Sequence, residues 1–170
     1  MALPNTLKNF NLFNDGASYM GIAEEVKLPK LSRKMDEFRG GGMNGSASID
    51  LGQEKLEMEF TCGGIMRQIF EQYATTKING VMLRFAGAYQ RDDTAEVQAV
   101  EVVVRGRHSE IDPGDSKAGD RTKLVTKSAL TYYKLSIDGD EVIEIDILNM
   151  IEKINGVDML AEQRKAIGLA

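Results

Sequence analysis

Few side chains in this sequence have the type and spacing that phosphate binding, metal binding or nucleophilic catalysis requires. The run Gly40-Gly41-Gly42 could cradle a phosphate, but no Gly-Lys-Ser/Thr follows it, so a flexible hairpin loop is the better interpretation. The sequence has one histidine, His108, and one cysteine, Cys62, which are too few for a zinc site or a Cys–His pair. We expect His108 to lie on the surface or in a loop and Cys62 to be a small buried apolar residue.

Carboxylates dominate the segment between Lys134 and Glu162, where Lys134 and Lys153 supply the positive charge. They lack the spacing of a Ca²⁺-binding EF-hand loop, and acidic pairs alone do not specify a glycosidase. Two interpretations stay open: a solvated negative surface, and a docking face for a basic partner. The acidic residues are Asp138, Asp140, Glu141, Glu144, Asp146, Glu152, Asp158 and Glu162.

The composition restricts the classes of protein. With 170 residues, 42% of them hydrophobic, the chain is expected to form a single domain over residues 1–170 with its own core. The net charge of -5 argues against general binding of nucleic acid or anionic membranes. The N-terminus lacks the regions of a signal peptide, and no run approaches the ~18 apolar residues of a membrane span. We therefore expect a soluble protein made in the cytoplasm, without a membrane anchor.

Alternation of apolar and polar residues predicts that strands position most of these side chains. In residues 55–60 the apolar side chains share one face, and the charged side chains Lys55, Glu57 and Glu59 share the other. The other alternating runs, each predicted to be a strand or strands, are residues 31–38, 48–61, 81–85, 97–107, 123–137 and 141–147. Asp138-Gly139 lies between the last two runs and predicts a two-residue hairpin turn.

Two segments have helical periodicity. Apolar residues recur at helical spacing between residues 65 and 73, and a polar stripe lies opposite them. That polar stripe consists of Arg67, Gln68, Glu71 and Gln72. Near the C-terminus, Asp158 could cap a short helix over residues 159–167, which Gly168 would end.

These elements predict a mainly β fold, a β-sandwich or barrel-like arrangement of two packed antiparallel sheets with one embedded α-helix and a short C-terminal helix. The repeating strand–helix–strand pattern of a parallel sheet is not present in the sequence. Residues 40–45 are a glycine-rich loop between two of the predicted strands, and residues 111–121 are rich in turn-forming residues.

A series of short motifs resembles the major tail tube protein family of contractile-tailed phages and R-type pyocins. Each motif is weak by itself, but they occur in order from near residue 5 to the C-terminus. The family often has tryptophan at the position of Ser116, where this chain departs from the pattern. The motifs are Asn11-Leu12-Phe13, Asp15-Gly16, Leu28-Pro29-Lys30-Leu31, Gly41-Gly42-Met43, Ile49-Asp50-Leu51-Gly52, Asp112-Pro113-Gly114-Asp115, Lys117-Ala118-Gly119, Tyr132-Tyr133-Lys134-Leu135, Asp138-Gly139, Glu144-Ile145-Asp146, Asn149 and Ile154-Asn155-Gly156-Val157-Asp158.

The resemblance implies a structural protein, with no enzymatic activity, cofactor or metal. It implies hexameric rings that stack into a hollow tube inside a contractile sheath, and a tube that conducts DNA or ions. The implied partners are further copies of the chain, the tail sheath protein, the baseplate hub, the tail terminator, a tape-measure protein in the lumen, and DNA that passes without specific binding. The implied location is a virion tail or bacteriocin particle, assembled in the bacterial cytoplasm. A monomeric β-sandwich ligand-binding module is the alternative, and a carboxylate-dependent hydrolase ranks third.

Three sets of residues are candidates for assembly contacts if the resemblance holds. A channel that passes DNA must not retain it, so charged residues of negative or neutral balance should line the lumen. A glycine-rich loop at a hairpin tip should order against the next ring, and screened charge pairs suit a sheath that must detach. The lumen candidates are Lys55, Glu57 and Glu59, followed by Glu101 and Arg105. The inter-ring candidates are Gly40, Gly41, Gly42, Met43, Asn44 and Gly45. The sheath candidates are Arg67, Gln68, Glu71, Gln72, Glu144 and Asp146.

Overall fold

The computed structural model describes residues 2–169, which form β-strands and two short helices. The strands are β1 Asn5–Asn14, β2 Ala17–Ser18, β3 Ala23–Lys27, β4 Arg33–Phe38, β5 Ala47–Gln53, β6 Leu56–Cys62, β7 Val81–Arg91, β8 Val97–Asp112, β9 Leu124–Ile137, β10 Asp140–Asp146, β11 Ile151–Ile154 and β12 Val157–Asp158. The helices are α1 Arg67–Glu71 and α2 Ala161–Ala166. Neither helix in this part of the chain has the length and apolar character to cross a membrane.

Ten strands form one antiparallel sheet, and β4 and β5 form a separate two-stranded sheet. The long strand β9 pairs with β8 along one side. Along its other side, the first half of β9 pairs with β6 and the second half pairs with β10. β6 also pairs with β3. The ten-stranded sheet therefore divides at β8 and β9 into two layers.

The four-stranded layer contains β3, β6, the first half of β9 and the second half of β8. The eight-stranded layer contains the other halves of β8 and β9, in the order β12-β11-β10-β9-β8-β7-β1-β2. The prediction of a mainly β fold with two antiparallel sheets and two short helices is confirmed. Over residues 2–169 the sheet does not close on itself, so the fold is a sandwich and not a barrel.

The core lies between the two layers. Alternate residues of β6 and β9 face alternate residues of β1, β7 and β8, and the inward side chains of both sets are buried. Ile69 of α1 joins this core, and Cys62 is fully buried as predicted. The central core residues are Leu12, Leu83, Phe85, Val102 and Val104 from the eight-stranded layer and Leu56, Met58, Phe60 and Leu124 from the four-stranded layer.

The sheet changes layer where β8 and β9 approach each other most closely, at Gly106. The pairing register shifts between Arg105 and Gly106, so that β9 carries an additional residue, Thr131, at this point. A Cβ atom at Gly106 would overlap the carbonyl oxygen of Ala129 and lie 2.9 Å from the Cα of Leu130. Only glycine therefore permits this backbone contact.

The hairpin turn predicted at Asp138-Gly139 is confirmed, with φ angles of 50° and 83° that match a type I′ turn. Asp15-Gly16 and Asn155-Gly156 have nearly the same pair of positive φ angles. They join β1 to β2 and β11 to β12. In each of the three turns, Asp or Asn is followed by glycine, and both residues have positive φ angles.

Several predicted boundaries differ from the structure. The alternating run over residues 48–61 is two strands, because the chain leaves β5 after a bulge near Gly52, whose φ is 122°. The C-terminal helix is shorter than predicted, and its N-cap is Leu160. The capping role predicted for Asp158 is wrong: this carboxylate accepts a hydrogen bond from the Leu160 amide and pairs with Arg164 at 2.6 Å.

Substitution of Gly106 by alanine tests the close contact between the layers. Because the added methyl group would meet backbone atoms, which cannot rotate away, Gly106→Ala should lower the free energy of unfolding by about 2–4 kcal/mol. Denaturant unfolding of the isolated subunit measures this change. The matched control is Gly64→Ala, where a Cβ meets nothing within 4 Å and φ is not positive. Equal stability of the two variants would contradict the proposed role of Gly106.

Candidate assembly surfaces

The outer face of the four-stranded layer carries the first set of lumen candidates. Leu56, Met58 and Phe60 of β6 are buried, which turns Glu57 and Glu59 away from the core, as the alternation predicts. Lys55, just before the strand, pairs with Glu57 at 2.7 Å, and this contact lowers the pKa of the Glu57 carboxyl. The structure thus brings the three candidates together on one exposed face.

A row of alternating charge crosses this face from strand to strand. Lys27 of β3 lies opposite Glu59 of β6, Glu59 lies opposite Lys127 of β9, and Lys127 lies opposite Glu110 of β8. Residues directly opposite each other project from the same face of a sheet, so the four side chains are neighbours in one row. The Lys127 ammonium and the Glu110 carboxylate are 3.4 Å apart. Sequence alternation indicated the β6 part of the row, but the pairing of distant strands was needed to find the rest.

Both outer strands of the four-stranded layer have an open side. Within residues 2–169, β3 pairs only with β6, and the part of β8 after Gly106 pairs only with β9. An open strand edge presents unpaired N–H and C=O groups and is a template for another strand. The layer can therefore be continued on both sides by copies of the same chain.

A hairpin of β4 and β5 forms an arm that projects from the sandwich. β4 and β5 pack extensively only against each other. Phe38 and Ile49 lie on one face of the hairpin and are 54% and 46% exposed, and Met35 on the other face is 56% exposed. Exposed apolar side chains that share one face, as Phe38 and Ile49 do, indicate a contact surface.

Arg33 anchors the base of the arm. Its Nε donates a hydrogen bond to Asp50 at 2.9 Å, within the hairpin, and its Nη1 donates to both carboxylate oxygens of Glu152 at 2.9 Å. The Glu152 side chain, on β11, is only 15% exposed. This charge-assisted contact joins the arm to the eight-stranded layer.

The glycine-rich tip of the arm, which contains the inter-ring candidates, forms a defined turn. The Met43 amide donates to the Gly40 carbonyl at 3.3 Å, and Arg39 Nε donates to the Met43 carbonyl at 3.2 Å. Gly42 has a φ of 82°, and Asn44 and Gly45 are exposed. These two hydrogen bonds define the turn at the tip of the arm.

Two of the four helix candidates for sheath contact do not face solvent freely. Arg67 and Glu71 are exposed and paired with each other at 2.7 Å. Gln68 and Gln72 instead point into the end of the sandwich and are half-buried. The prediction of a continuous outer polar stripe on this helix is wrong, because these two amides contribute to a polar cluster inside the fold.

The inner polar cluster joins α1 to β1, β8 and β9. Gln72 donates to the Asn14 side-chain oxygen at 2.6 Å and to Asp15 at 2.8 Å. Gln68 accepts from the Tyr19 hydroxyl at 2.8 Å and donates to the Asn14 backbone carbonyl at 3.1 Å. Asn14 is fully buried, so these bonds satisfy groups that would otherwise be costly to bury.

His108 is part of the same cluster, so the prediction of a surface histidine is wrong. Its Nε2 lies 2.8 Å from the Gln72 amide oxygen and its Nδ1 lies 2.9 Å from the Ser128 hydroxyl. An amide oxygen only accepts, so Nε2 carries the proton and Nδ1 accepts from Ser128. Burial lowers the pKa of His108 to about 4. The signal for burial was in the sequence, because His108 continues the inward alternation of Val102 and Val104.

The second set of lumen candidates lies on the other layer. Glu101 pairs with Arg84 at 3.0 Å across the outer face of the eight-stranded layer, and Arg105 lies two rows further along the same face. Glu144, a sheath candidate, also projects from this face and accepts a hydrogen bond from Tyr132 at 2.7 Å. Glu101 and Arg105 are therefore separated from Lys55, Glu57 and Glu59 by the thickness of the sandwich.

Asp146, the last sheath candidate, accepts hydrogen bonds from Asn149 at 2.7 Å and 3.3 Å at the end of β10. The remaining acidic residues of the C-terminal half are spread along strands and turns. In the part of the chain that the structure describes, no group of three or more His, Cys, Asp or Glu side chains is arranged to hold a metal ion.

An antiparallel sandwich with two open sheet edges and an exposed apolar arm is typical of a subunit that is completed by copies of itself. Comparison with known proteins identifies the class. The chain belongs to the family of the phage tail tube protein FII, whose family model matches residues 4–168. The resemblance drawn from the sequence motifs is confirmed.

Two relatives match over nearly the whole chain. The "Tail tube protein" of Escherichia phage P2 is 52% identical over 99% of this chain and 100% of the relative. The "Major tail tube protein" of Serratia phage KSP20 is 38% identical over 99% of each chain.

Solved structures show the same fold at low sequence identity. A chain of the sheath-tube complex of an extracellular contractile injection system, the PVC, has a TM-score of 0.59 at 12% identity over 78% of this chain and 91% of that chain. A chain of the anti-feeding prophage cap has a TM-score of 0.60 at 10% identity over 80% of this chain and 93% of that chain.

The burial of His108 predicts a pH dependence of stability. Its pKa falls from 6.5 to about 4 on folding, so the unfolded chain takes up a proton below pH ~6.5 that the folded chain does not. The free energy of unfolding should therefore decrease by about 2–3 kcal/mol as the pH falls from 6.5 to 4, in addition to changes from carboxylates. Denaturant unfolding of wild type and the non-titrating variant His108→Gln measures the difference. The same pH dependence in both proteins would contradict the prediction.

Proposed function

We propose that this chain is a structural subunit, without catalytic activity, of the inner tail tube of a contractile phage tail or an R-type bacteriocin. Six copies close a ring, and the rings stack into a hollow tube that is driven through the target cell envelope and conducts DNA or ions. The observation that carries the proposal is the four-stranded layer, which has a charged outer face and an open strand on each side. The tail tube relatives support the proposal.

The number of strands in a closed ring supports a barrel wide enough to contain a channel. Six copies of a four-stranded layer would close a barrel of about twenty-four strands. With neighbouring strands about 4.8 Å apart, untilted strands would give a circumference of roughly 115 Å and a backbone diameter of roughly 37 Å, and the strand tilt of a barrel widens both. A closed ring also pairs both open edges of the four-stranded layer.

The outer face of the four-stranded layer lines the lumen in this proposal, with Lys55, Glu57 and Glu59 on the wall. Charges of both signs alternate there, so a phosphate backbone finds no continuous cationic track to hold it. Glu101 and Arg105 belong to the opposite layer and lie on the outside of the tube. A map of an assembled tube at side-chain resolution tests this assignment, which is wrong if Glu57 and Glu59 point away from the axis.

The arm formed by β4 and β5 connects successive rings. Phe38 and Ile49 would be covered by a second copy, and the tip at Gly40–Gly45 would lie against the next ring. A contact between different surfaces of identical subunits does not close, so it continues along the axis and produces a filament.

The sheath contact uses the exposed charges Arg67 and Glu71 and the part-buried carboxylates Glu144 and Asp146, without Gln68 and Gln72. Exposed charge pairs are weak and screened, which suits a sheath that must release the tube on contraction. Matched structures described as a sheath-tube complex, a tube terminator and a baseplate support a sheath, a tail terminator and a baseplate hub as partners. We also propose a tape-measure protein in the lumen during assembly, assembly in the host cytoplasm, and DNA passing without specific binding.

Negative-stain electron microscopy of concentrated purified protein tests the function directly. Hollow tubes or stacked rings of constant diameter are expected. The rival function, a monomeric ligand-binding β-sandwich, predicts featureless particles and a monodisperse monomer in solution. That second result would overturn the proposal.

Replacement of Phe38 and Ile49 by serine tests the role of the arm. Both side chains are about half exposed in the subunit, so the double variant should keep the unfolding free energy within about 1 kcal/mol of wild type. Assembly should require at least about tenfold more protein, because each buried apolar side chain contributes roughly 1–2 kcal/mol at a contact. Light scattering against concentration measures this, with Met35→Ser on the opposite face as the control. Normal assembly of the double variant would argue against the arm as a ring-to-ring contact.

A further inference from the structure

The charge row on the four-stranded layer ends with opposite charges at its two open edges. The β3 edge ends in Lys27, which forms no ion pair among the described residues 2–169. The β8 edge ends in Glu110, with Asp112 two residues further along the same face. β3 also carries Glu24 and Glu25, so the complementarity lies in this row and not in the net charge of the edge. Because the row begins with a cation at one open edge and ends with an anion at the other, a second copy of this chain fits both ends of the row.

We propose that β3 of one subunit pairs with the second half of β8 of a second copy, with Lys27 opposite Glu110 of that copy. This inference rests on the ring proposed above and specifies its seam. The strand directions agree, because β8, β9, β6 and β3 alternate in direction and the next β8 is therefore antiparallel to β3. Antiparallel pairing thus continues without a break around the ring.

An apolar pair favours this register, and two prolines limit the length of the two edges. Pro29 lies two residues after Lys27, and Pro113 directly follows Asp112. Proline cannot donate to a ladder, so each limits the usable length of its edge. Pairing Lys27 with Glu110 places Val26 opposite Ile111 of the second copy, and both are partly buried residues that pack against the core. The seam would then continue the core from one subunit to the next.

The same register makes the charge row continuous. Lys27, Glu59, Lys127 and Glu110 are followed by Lys27 of the next copy, so no like charges meet along this row. In the neighbouring row Glu25 would face Asp112 of the second copy. Asp112 lines a depression together with Lys123, whose positive charge reduces that repulsion, while Arg121 in the same depression pairs with Glu24.

Pairing between two β8 edges is less favourable. Two β8 edges centred on Ile111 would set Glu110 of each copy against Asp112 of the other, and like charges directly opposite each other are destabilising. The acidic β8 edge therefore pairs more favourably with a β3 edge than with the β8 edge of a second copy. This selection favours a head-to-tail ring over a two-fold symmetric dimer formed through β8.

Cysteine pairs test the seam in assembled protein. Directly opposite residues are close enough for a disulfide, whereas diagonal neighbours are too far apart. Oxidised assemblies of the variant Lys27→Cys/Glu110→Cys should give a ladder of covalent multimers ending at the hexamer on a non-reducing gel. Lys27→Cys/Asp112→Cys should give at least about fivefold less. The control Lys27→Cys/Lys165→Cys should give none, and the buried Cys62 remains in all variants.

Charge reversal provides an independent measurement on proteins without new cysteines. Lys27→Glu alone and Glu110→Lys alone should each need about fivefold or more protein to assemble, because attraction across every seam becomes repulsion. A 1:1 mixture should assemble within about twofold of wild type, since the two variants can alternate around a ring of six. Thermal unfolding of each variant confirms that the subunit is folded.

The outcomes separate this inference from the proposed function. Rings or tubes from wild type, a covalent hexamer ladder from the Glu110 pair and rescue in the mixture support the seam. Wild-type rings without the ladder, or with a stronger ladder from the Asp112 pair, or a mixture no better than either variant, overturn it and leave the tube function intact. Absence of rings from wild type would overturn the tube function itself.

Discussion

The fold depends on the close approach of β8 to β9 at Gly106. Because the two backbones are in contact there, the strands can leave one layer and enter the other without a chain break. The two layers then cover each other and bury Phe60 against Phe85 and their neighbours. The same change of layer leaves the second half of β8 without a partner strand on one side. The open edge and the core between the layers therefore have one cause, the crossing of β8 and β9 at Gly106.

Polar contacts hold α1 against the end of the sandwich, whereas apolar packing holds the two layers together. α1 has only five residues, too few to be stable as an isolated helix. Ile69 and the amides of Gln68 and Gln72 hold it in place, and His108 completes the cluster. A buried polar cluster with every partner supplied specifies one position for the helix, whereas an apolar face alone would permit sliding.

Much of the architecture was predictable because strands with one buried side leave a period-two pattern. The facing of Leu56, Met58 and Phe60, the turn at Asp138-Gly139 and the class of fold follow from local sequence. The open edges were not predictable, since they depend on which distant strands pair. The inward turn of Gln72 was missed for the same reason: its partners Asn14 and His108 lie far away in sequence. The charge row required the register of three strand pairs.

The alternating row from Lys27 to Glu110 also determines the electrostatic potential that this face presents to a molecule that does not touch it. Charges of opposite sign on strands about 4.8 Å apart repeat every 9–10 Å or about two strands. The potential of such a periodic pattern decays over its repeat divided by 2π, roughly 1.5 Å, far faster than screening by salt, whose length is about 8 Å. A polymer a few ångströms above the face therefore experiences only its average charge. The electrostatic potential therefore varies strongly at the surface of this face and is nearly uniform a few ångströms above it.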